Sequence, residues 1–388
     1  MQRSNHICIS AGGTGGHIFP AVALAERMLK FGWDVNFVTD ERGEGFLKPL
    51  SKGISIKVIQ VKQIKNFNVL SWYRFLVKIF LSVVSFYISF RYKKPNVVVG
   101  FGGYSSLPIC ISAIVSRVPL VLHEQNSVVG RVNKFFLSKS KCMAFGFPPL
   151  IDRQDILKIE DQSFNDLATV IRKMEKKKPI LVYIGNPVRA EILSRKSSIY
   201  TPPGDWPVAI FIVGGSQSAD IFGHIVPKSL LQLPEKLRFR LRVYFQVRKE
   251  LREMVISELQ NAGVRFEVSE FFDDISEKIA NSQLIISRAG ASTLSEIAII
   301  GRPSILVPLP TAKDDHQNKN ALAMEATGAS IIIRQEDFSP DNLSKELEKF
   351  FASSAQAEDM AAGALKFSKP RASENFGLLL NQMYRAEK

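Results

Sequence analysis

The sequence predicts an α/β protein of two facing Rossmann-like units, each built on a doubly wound parallel sheet. Three observations carry that expectation. Short apolar runs of strand length alternate with helix-like stretches along most of the chain. Both halves open alike, Ile7–Ile9 leading into Gly12, Gly13, Gly15 and Gly16, and Val208–Val213 leading into Gly214 and Gly215. A length of 388 residues is that of two domains, each large enough to bury its own core.

Composition narrows the function classes. Apolar residues make up 46% and charged residues 23%, the balance of an ordinary globular protein. Cys8, Cys110 and Cys142 stand far apart, which predicts buried or incidental thiols in a reducing compartment and no metal site. The first strand begins so early that it leaves no room within this sequence for a secretory signal. The net charge of +14 is uneven. Residues 1–150 hold 19 Lys and Arg against 6 Asp and Glu, and no carboxylate stands between Glu44 and Glu124. A basic half-chain of this kind seeks an anionic partner, a nucleic acid or an anionic membrane face.

In chain order, the stretch Ile7–Pro20 reads as strand, glycine turn and helix, the helical period starting beyond Pro20. Glycines let the backbone approach a ligand, and the amides of the helix end suit a diphosphate or another anion. His17 stands at the lip of that loop. A glycine turn that merely packs tightly is the alternative there. Asp34–Thr39 and Ile54–Val61 read as strands two and three. The most apolar stretch follows, Phe67–Phe90, with twelve uncharged residues from Ile79. Twelve are too few to span a bilayer, and Arg74 and Lys78 break any longer window. Two readings stand: a buried crossover helix, or an amphipathic helix lying on a membrane. Lys62, Lys65, Arg91, Lys93 and Lys94 flank it, with Trp72, Tyr73, Tyr87 and Tyr92 as interfacial types.

Asn96–Gly100 is a strand into a second glycine turn at Gly102, Gly103 and Tyr104, and Pro119–Leu122 delivers His123-Glu124-Gln125-Asn126 at another strand end. Strand C-termini are where such sheets bind ligands, although a capping cluster accounts for the second group equally well. Residues 151–178 read as a charged, partly helical surface insertion. Ile180–Ile184 then leads to Gly185-Asn186-Pro187-Val188-Arg189, where the chain leaves its first unit. In the second unit Leu284–Ser287 runs into Ala291, Ser292, Thr293 and Glu296 at a helix start. Glu296 complements a helix dipole or accepts ribose hydroxyls. Ser304–Pro308 leads to the polar run Lys313–Asn320, either a solvated loop or a reader of sugar hydroxyls, and an apolar-periodic helix covers Ser373–Tyr384.

The glycine spacing lacks the dinucleotide fingerprint, with Ile18 where its last glycine belongs, and no Gly-x-x-x-x-Gly-Lys-Ser/Thr follows. No Gly-x-Ser-x-Gly and no His/Cys cluster of metal spacing is present. A nicotinamide dehydrogenase is thereby disfavoured. So is a nucleic-acid module, since the basic charge borders an apolar helix instead of aromatics on a sheet. Two units closing on a diphosphate-bearing ligand, the first facing a membrane, remain.

The ordered set AGGTGGHIFPA, GGYSS, HEQN, GNPVR, GGSQ, SRAGASTLSEIA and DDHQNKNA resembles the MurG family over nearly the whole chain. These are GT-B glycosyltransferases that move N-acetylglucosamine from its UDP form to the 4-hydroxyl of undecaprenyl-diphosphate N-acetylmuramoyl-pentapeptide, making lipid II. The resemblance implies an acceptor and membrane-surface domain over residues 1–187, rejoined by a helix over 370–388, and a donor domain over 188–369. It implies a peripheral enzyme on the cytoplasmic face of the bacterial inner membrane, held through the 65–94 region, with no cofactor and no nucleic acid. Glu296 is implied at the ribose, Phe272 beside uracil, and Arg189 and Ser216 near the diphosphate with Ala291, Ser292 and Thr293. Gln317 and Asn320 are implied at the sugar, with Asn126 reaching across to it. The lipid-linked diphosphate is implied on Thr14, Gly15, Gly16, His17 and Tyr104. His17 is the leading catalytic base and Glu124 the second. A related GT-B transferase acting on another glycolipid is the alternative. Three departures stand out: Ser218 where the family has glycine, Gln246-Val247-Arg248 where it has Gln-Ser-Gly, and the long 151–178 segment.

Overall fold

The computed structural model describes residues 5–47, 53–61, 68–148, 157–158, 179–215 and 219–386. Two compact units result, Met1–Arg189 with Lys369–Lys388, and Ala190–Ser368. The first holds an eight-stranded sheet of β1 (His6–Ser10), β2 (Asp34–Asp40), β3 (Ser55–Ile59), β4 (Val97–Gly100), β5 (Leu120–Glu124), β6 (Cys142–Phe145), β7 (Leu157–Lys158) and β8 (Ile180–Tyr183). The second holds β9 (Val208–Val213), β10 (Leu241–Gln246), β11 (Arg265–Ser269), β12 (Leu284–Ser287), β13 (Ser304–Leu306) and β14 (Ser330–Ile332). Paired strands run parallel throughout. Helices cover both faces of such sheets, which is why β1, β4, β5, β9 and β12 are continuous buried runs instead of alternating ones.

Strand order positions the loops. The first sheet runs β3-β2-β1-β4-β5-β6-β8-β7 and the second β11-β10-β9-β12-β13-β14. Order therefore reverses between β1 and β4, and again between β9 and β12. At such a reversal the following connections diverge to opposite faces and leave a crevice outside the strand ends. The turns after β1 and β4 share the first crevice, those after β9 and β12 the second. Each glycine-rich turn singled out in the sequence thus follows a strand at a reversal.

The first helix begins at Gly15 and runs to Lys30, so the periodicity beyond Pro20 set its start too late. Pro20 lies inside it, forfeiting one backbone bond without ending it. This earlier start places His17 in the first turn. The apolar stretch forms one helix, Val69–Tyr92, and this corrects the length argument above. Its Ser71–Tyr92 portion is long and apolar enough, by length and composition, to cross a membrane. It nevertheless joins β3 to β4 within one parallel sheet, and Phe86 and Phe90 pack into that sheet's core. Only 11% of its apolar window is buried, so it is a crossover helix with an uncovered outer side. The helix Ala372–Ala386 returns to the first unit, where Phe376, Leu379 and Leu380 join the core and Trp33 Nε1 donates to Asn381 Oδ1 at 2.6 Å. All three cysteines are buried, and burial pushes the Cys8 and Cys142 thiols up to about 12.

Lys62, Lys65, Ser216 and Ser218 lie outside the described residues, as does 151–178 apart from β7.

The two turns of the first crevice interlock. A Cβ at Gly12 would stand 2.0 Å from Ser105 Oγ, and one at Gly103, whose φ is +77°, 3.3 Å from the Gly12 carbonyl oxygen. Gly12→Ala is expected to destabilise the first unit by about 1–3 kcal/mol through overpacking, read as a lowered denaturant midpoint. Unchanged stability would show that the turns do not depend on this approach.

Candidate active site

In the first unit the glycine turn is fastened from β2. Asp40 Oδ1 accepts from Gly13 N at 3.2 Å and Gly43 N at 2.9 Å, while Oδ2 pairs with Arg42 at 3.5 Å. Gly13 has φ +90°, a conformation suited to glycine. Thr14 is the N-cap of the following helix, and the amides of His17 and Ile18 turn back to its carbonyl at 3.1 and 3.2 Å. Gly15 and Gly16 open that helix, whose first-turn amides and dipole favour an anion. Tyr104 heads the neighbouring turn, its ring centroid 6.1 Å from that of Phe75 in a T-shaped contact, and the Phe75 centroid lies 6.0 Å from that of Trp72. The exposed crossover helix and the β4 turn therefore meet through a row of aromatic rings.

The end of β5 contributes a polar cluster whose members differ sharply in role. Glu124 is buried and both its oxygens are committed: Oε1 accepts from Asn126 N and Nδ2 at 3.2 Å each, Oε2 from Gly130 N at 2.8 Å and Asn133 Nδ2 at 2.9 Å. A carboxylate accepting four hydrogen bonds is held as an acceptor and braces the loop ahead of the helix Arg131–Phe136. Asn126 is thus oriented by Glu124. His17 Nδ1 lies 2.7 Å from Gln125 Oε1. Gln125 thus meets that imidazole directly, and His123 Nδ1 lies 3.0 Å behind it from Gln125 Nε2, although of this run only Glu124 and Asn126 drew site roles from the sequence. Arg189, at the end of the unit, places its guanidinium 4.5 Å from the ring of Phe19 on the first helix.

In the second unit the helix Ala291–Ile300 starts at the β12 turn with Ala291, Ser292 and Thr293 in its first turn. Ser295 Oγ bonds back to the Ala291 carbonyl at 2.9 Å, and Glu296 is buried within the helix's second turn. Asn320 Nδ2 donates to the Ala289 carbonyl at 3.2 Å, tying the helix His316–Glu325 to that turn, and Gln317 Oε1 accepts from Leu309 N at 2.9 Å. These contacts draw Asn320 and the 288–291 turn together and anchor Gln317 on the β13 loop. Asp314 and Asp315 both hold φ +55°, strained for non-glycine residues and concentrated in this run. Phe272 is buried, edge-on to Phe211 at 5.6 Å, with Lys278 Nζ 5.4 Å from its ring; Phe271 beside it is the exposed ring. Arg248 makes a bidentate ion pair with Asp220, its Nε 2.8 Å from Oδ1. The arginine of the departing Gln-Val-Arg turn is thereby tied to the first turn of the helix that follows β9. Among the described residues no group of three His, Cys, Asp or Glu side chains gathers to hold a metal ion.

Two parallel sheets with glycine turns at their order reversals match the GT-B architecture. Residues 7–145 match the glycosyltransferase family 28 N-terminal domain and residues 209–376 its C-terminal domain. A protein of Rhizobium meliloti (strain 1021) is 38% identical over 375 residues, 96% of this chain and 94% of that one. A protein of Brucella abortus (strain S19) is 37% identical over 371 residues, 94% and 91%. Both carry the name UDP-N-acetylglucosamine–N-acetylmuramyl-(pentapeptide) pyrophosphoryl-undecaprenol N-acetylglucosamine transferase. The crystal structure of MurG from Acinetobacter baumannii superposes with a TM-score of 0.74 at 26% identity, covering 98% of this chain and 100% of that one. A UDP-N-acetylglucosamine 2-epimerase from Neisseria meningitidis, TM-score 0.65 at 11% identity over 97% and 100% of the chains, shares the fold alone. The chain belongs to the MurG family of family 28 glycosyltransferases.

Burial lowers the pKa of His123 from its ordinary 6.5 to about 3, with the Gly185 carbonyl opposing the shift. Between those values the unfolded chain takes up a proton that the folded ring refuses, so stability falls as pH falls from 6.5 toward 3, by at most about 1.4 kcal/mol per pH unit. Denaturant unfolding at pH 7 and pH 5 is expected to show a shallower loss for His123→Asn than for the parent. Equal losses would remove His123 as the source.

Proposed function

We propose that this protein transfers N-acetylglucosamine from UDP-N-acetylglucosamine to the 4-hydroxyl of undecaprenyl-diphospho-muramoyl-pentapeptide, with inversion at the anomeric carbon. The observation that carries the reading is the end-to-end family relationship, joined to glycine turns at both sheet reversals. The donor is assigned to the second unit. Glu296 takes the ribose hydroxyls, the helix start at Ala291, Ser292 and Thr293 faces the diphosphate, and Gln317 and Asn320 read the sugar. Phe272 serves as the packed floor of the base site. Ser216, Arg189 and Asn126 complete the proposed donor contacts. The acceptor diphosphate is assigned to Thr14, Gly15, Gly16 and Tyr104, with residues 1–187 and 370–388 as the acceptor domain and 188–369 as the donor domain.

The acceptor oxygen attacks the anomeric carbon as the bond to the UDP oxygen breaks, and the electron pair leaves with UDP. Amides at a helix start stabilise the charge that develops on the departing phosphate. The proton of the attacking hydroxyl goes to the imidazole of His17. His17 is favoured over Glu124 because the carboxylate's oxygens are already occupied by four donors.

We assign the outer side of the Val69–Tyr92 helix to the cytoplasmic surface of the inner membrane, as a peripheral contact within the 65–94 region. Tyr73, Leu76, Phe80, Leu81 and Ile88 are exposed there, with the exposed cations Arg74, Lys78, Arg91 and Lys94 beside them, while Lys93 pairs with Asp34 at 3.1 Å. Each such cation contributes about 1 kcal/mol near an anionic surface. The aromatic row from Trp72 to Tyr104 runs from that surface toward the acceptor turn, as a lipid-linked substrate requires.

UDP release from UDP-N-acetylglucosamine, with and without a short-chain acceptor analogue, tests the activity. Release is expected only with acceptor, falling at least about 10²-fold in His17→Ala and in Glu296→Ala. Turnover without acceptor dependence, or no donor binding, would contradict the reading. In vesicle sedimentation, Leu76→Glu/Phe80→Glu is expected to abolish binding to phosphatidylglycerol vesicles, and high salt to weaken it in the parent. Parent-like binding by the double variant would displace the contact from this helix.

A further inference from the structure

We propose that Gln125 and His123 are positioning residues that hold His17 in the tautomer carrying its proton on Nδ1, leaving Nε2 as the acceptor. The inference rests on the reading of His17 as the base. The contacts form one line from a main-chain carbonyl to that ring. His123 Nε2 lies 3.4 Å from the Gly185 carbonyl oxygen, His123 Nδ1 3.0 Å from Gln125 Nε2, and Gln125 Oε1 2.7 Å from His17 Nδ1.

A carbonyl only accepts, so its partner on His123 must be the protonated nitrogen. Burial between the rings of Phe101 (4.9 Å) and Phe376 (5.4 Å) keeps His123 neutral, leaving Nδ1 a lone pair. Gln125 Nε2 must donate to it. The second hydrogen of that amide goes to the His123 main-chain oxygen at 3.2 Å. Turning the amide over would set Oε1 against both that oxygen and the Nδ1 lone pair, so its orientation is fixed twice. Oε1 therefore faces His17, and the nitrogen that meets it at 2.7 Å must be a donor. A main-chain carbonyl thus decides where the proton sits on a histidine two side chains away.

The ends of this line are themselves held. Gly185 has φ +88°, and a Cβ there would stand 2.3 Å from Lys369 Cβ. Asn186 Nδ2 donates to the Gln125 carbonyl at 3.0 Å, and Asn186 Oδ1 fills the space a Cβ at Gly146 would need, at 1.9 Å. Gly185-Asn186 and the His-Glu-Gln-Asn cluster thereby acquire a joint purpose. The relay is neutral throughout. It orients the imidazole without the negative charge by which a carboxylate partner stabilises the imidazolium.

The test is ¹⁵N-histidine NMR of the full chain, whose five histidines are resolved by comparison with His17→Ala. At pH values where His17 is neutral, the protonated nitrogen is expected to be Nδ1 in the parent, and Gln125→Met is expected to lose that preference. In turnover, Gln125→Met is expected to lower kcat about 10²-fold while both KM values move less than about threefold. A parent His17 protonated on Nε2, or an unchanged kcat in Gln125→Met, would overturn the relay. If His17→Ala kept the parent kcat, the base assignment would fail, while the parent NMR signal would still judge the relay by itself.

Discussion

The close approach of two glycine turns at the β1/β4 reversal is the constraint on which the first unit's chemistry depends. A backbone can lie against another loop this tightly only where side chains are missing, and Gly12 has no room for even one carbon beside Ser105. Asp40, projecting from the neighbouring strand end, takes up the Gly13 and Gly43 amides and fixes the turn's height above the sheet. The helix start that follows inherits that placement. His17, only two residues into the helix, is delivered to Gln125 by the same geometry.

From that point the polar residues at the end of β5 divide their work according to burial. Glu124 spends its four acceptor positions on the 126–133 segment, stabilising a loop and orienting Asn126. Gln125 and His123 face the other way and form a neutral line to His17. The C-terminal helix is part of this arrangement, since Phe376 supplies one wall of the His123 site and Trp33 is bound through Asn381. The uncovered side of the crossover helix reaches the same sheet edge through Phe75 and Tyr104. An apolar surface and a glycine turn are thereby served by one βαβ connection.

Much of this was legible in the sequence. Buried parallel strands are continuous apolar runs, so Val97–Gly100 and Val208–Val213 announced themselves, and glycine clusters at their ends marked the crevices. The helix boundary at Gly15 was not legible, because Pro20 imitates a start signal and the first turn there is glycine and polar residues with no apolar period. Nor was the continuity of Val69–Tyr92, since Arg74 and Lys78 interrupt the apolar count while lying on an exposed side that tolerates cations. Gln125 meets His17 from 108 positions away, beyond any local pattern. Arg248 stood out only as a departure from Gln-Ser-Gly, and its partner Asp220, 28 positions earlier, was not visible from that turn. Long-range pairing of side chains is set by sheet order, and a single sequence shows order only through its motifs.

The most direct measurement is hydrogen–deuterium exchange of the full chain with each substrate supplied separately. A short-chain acceptor analogue is expected to protect the amides of 12–18 and 102–106 in the first unit. UDP-N-acetylglucosamine is expected to protect 288–296 and 314–320 in the second. That outcome assigns one substrate to each sheet reversal. Protection of the first unit's turns by the donor, or of neither crevice by the acceptor, would contradict the division of labour drawn here.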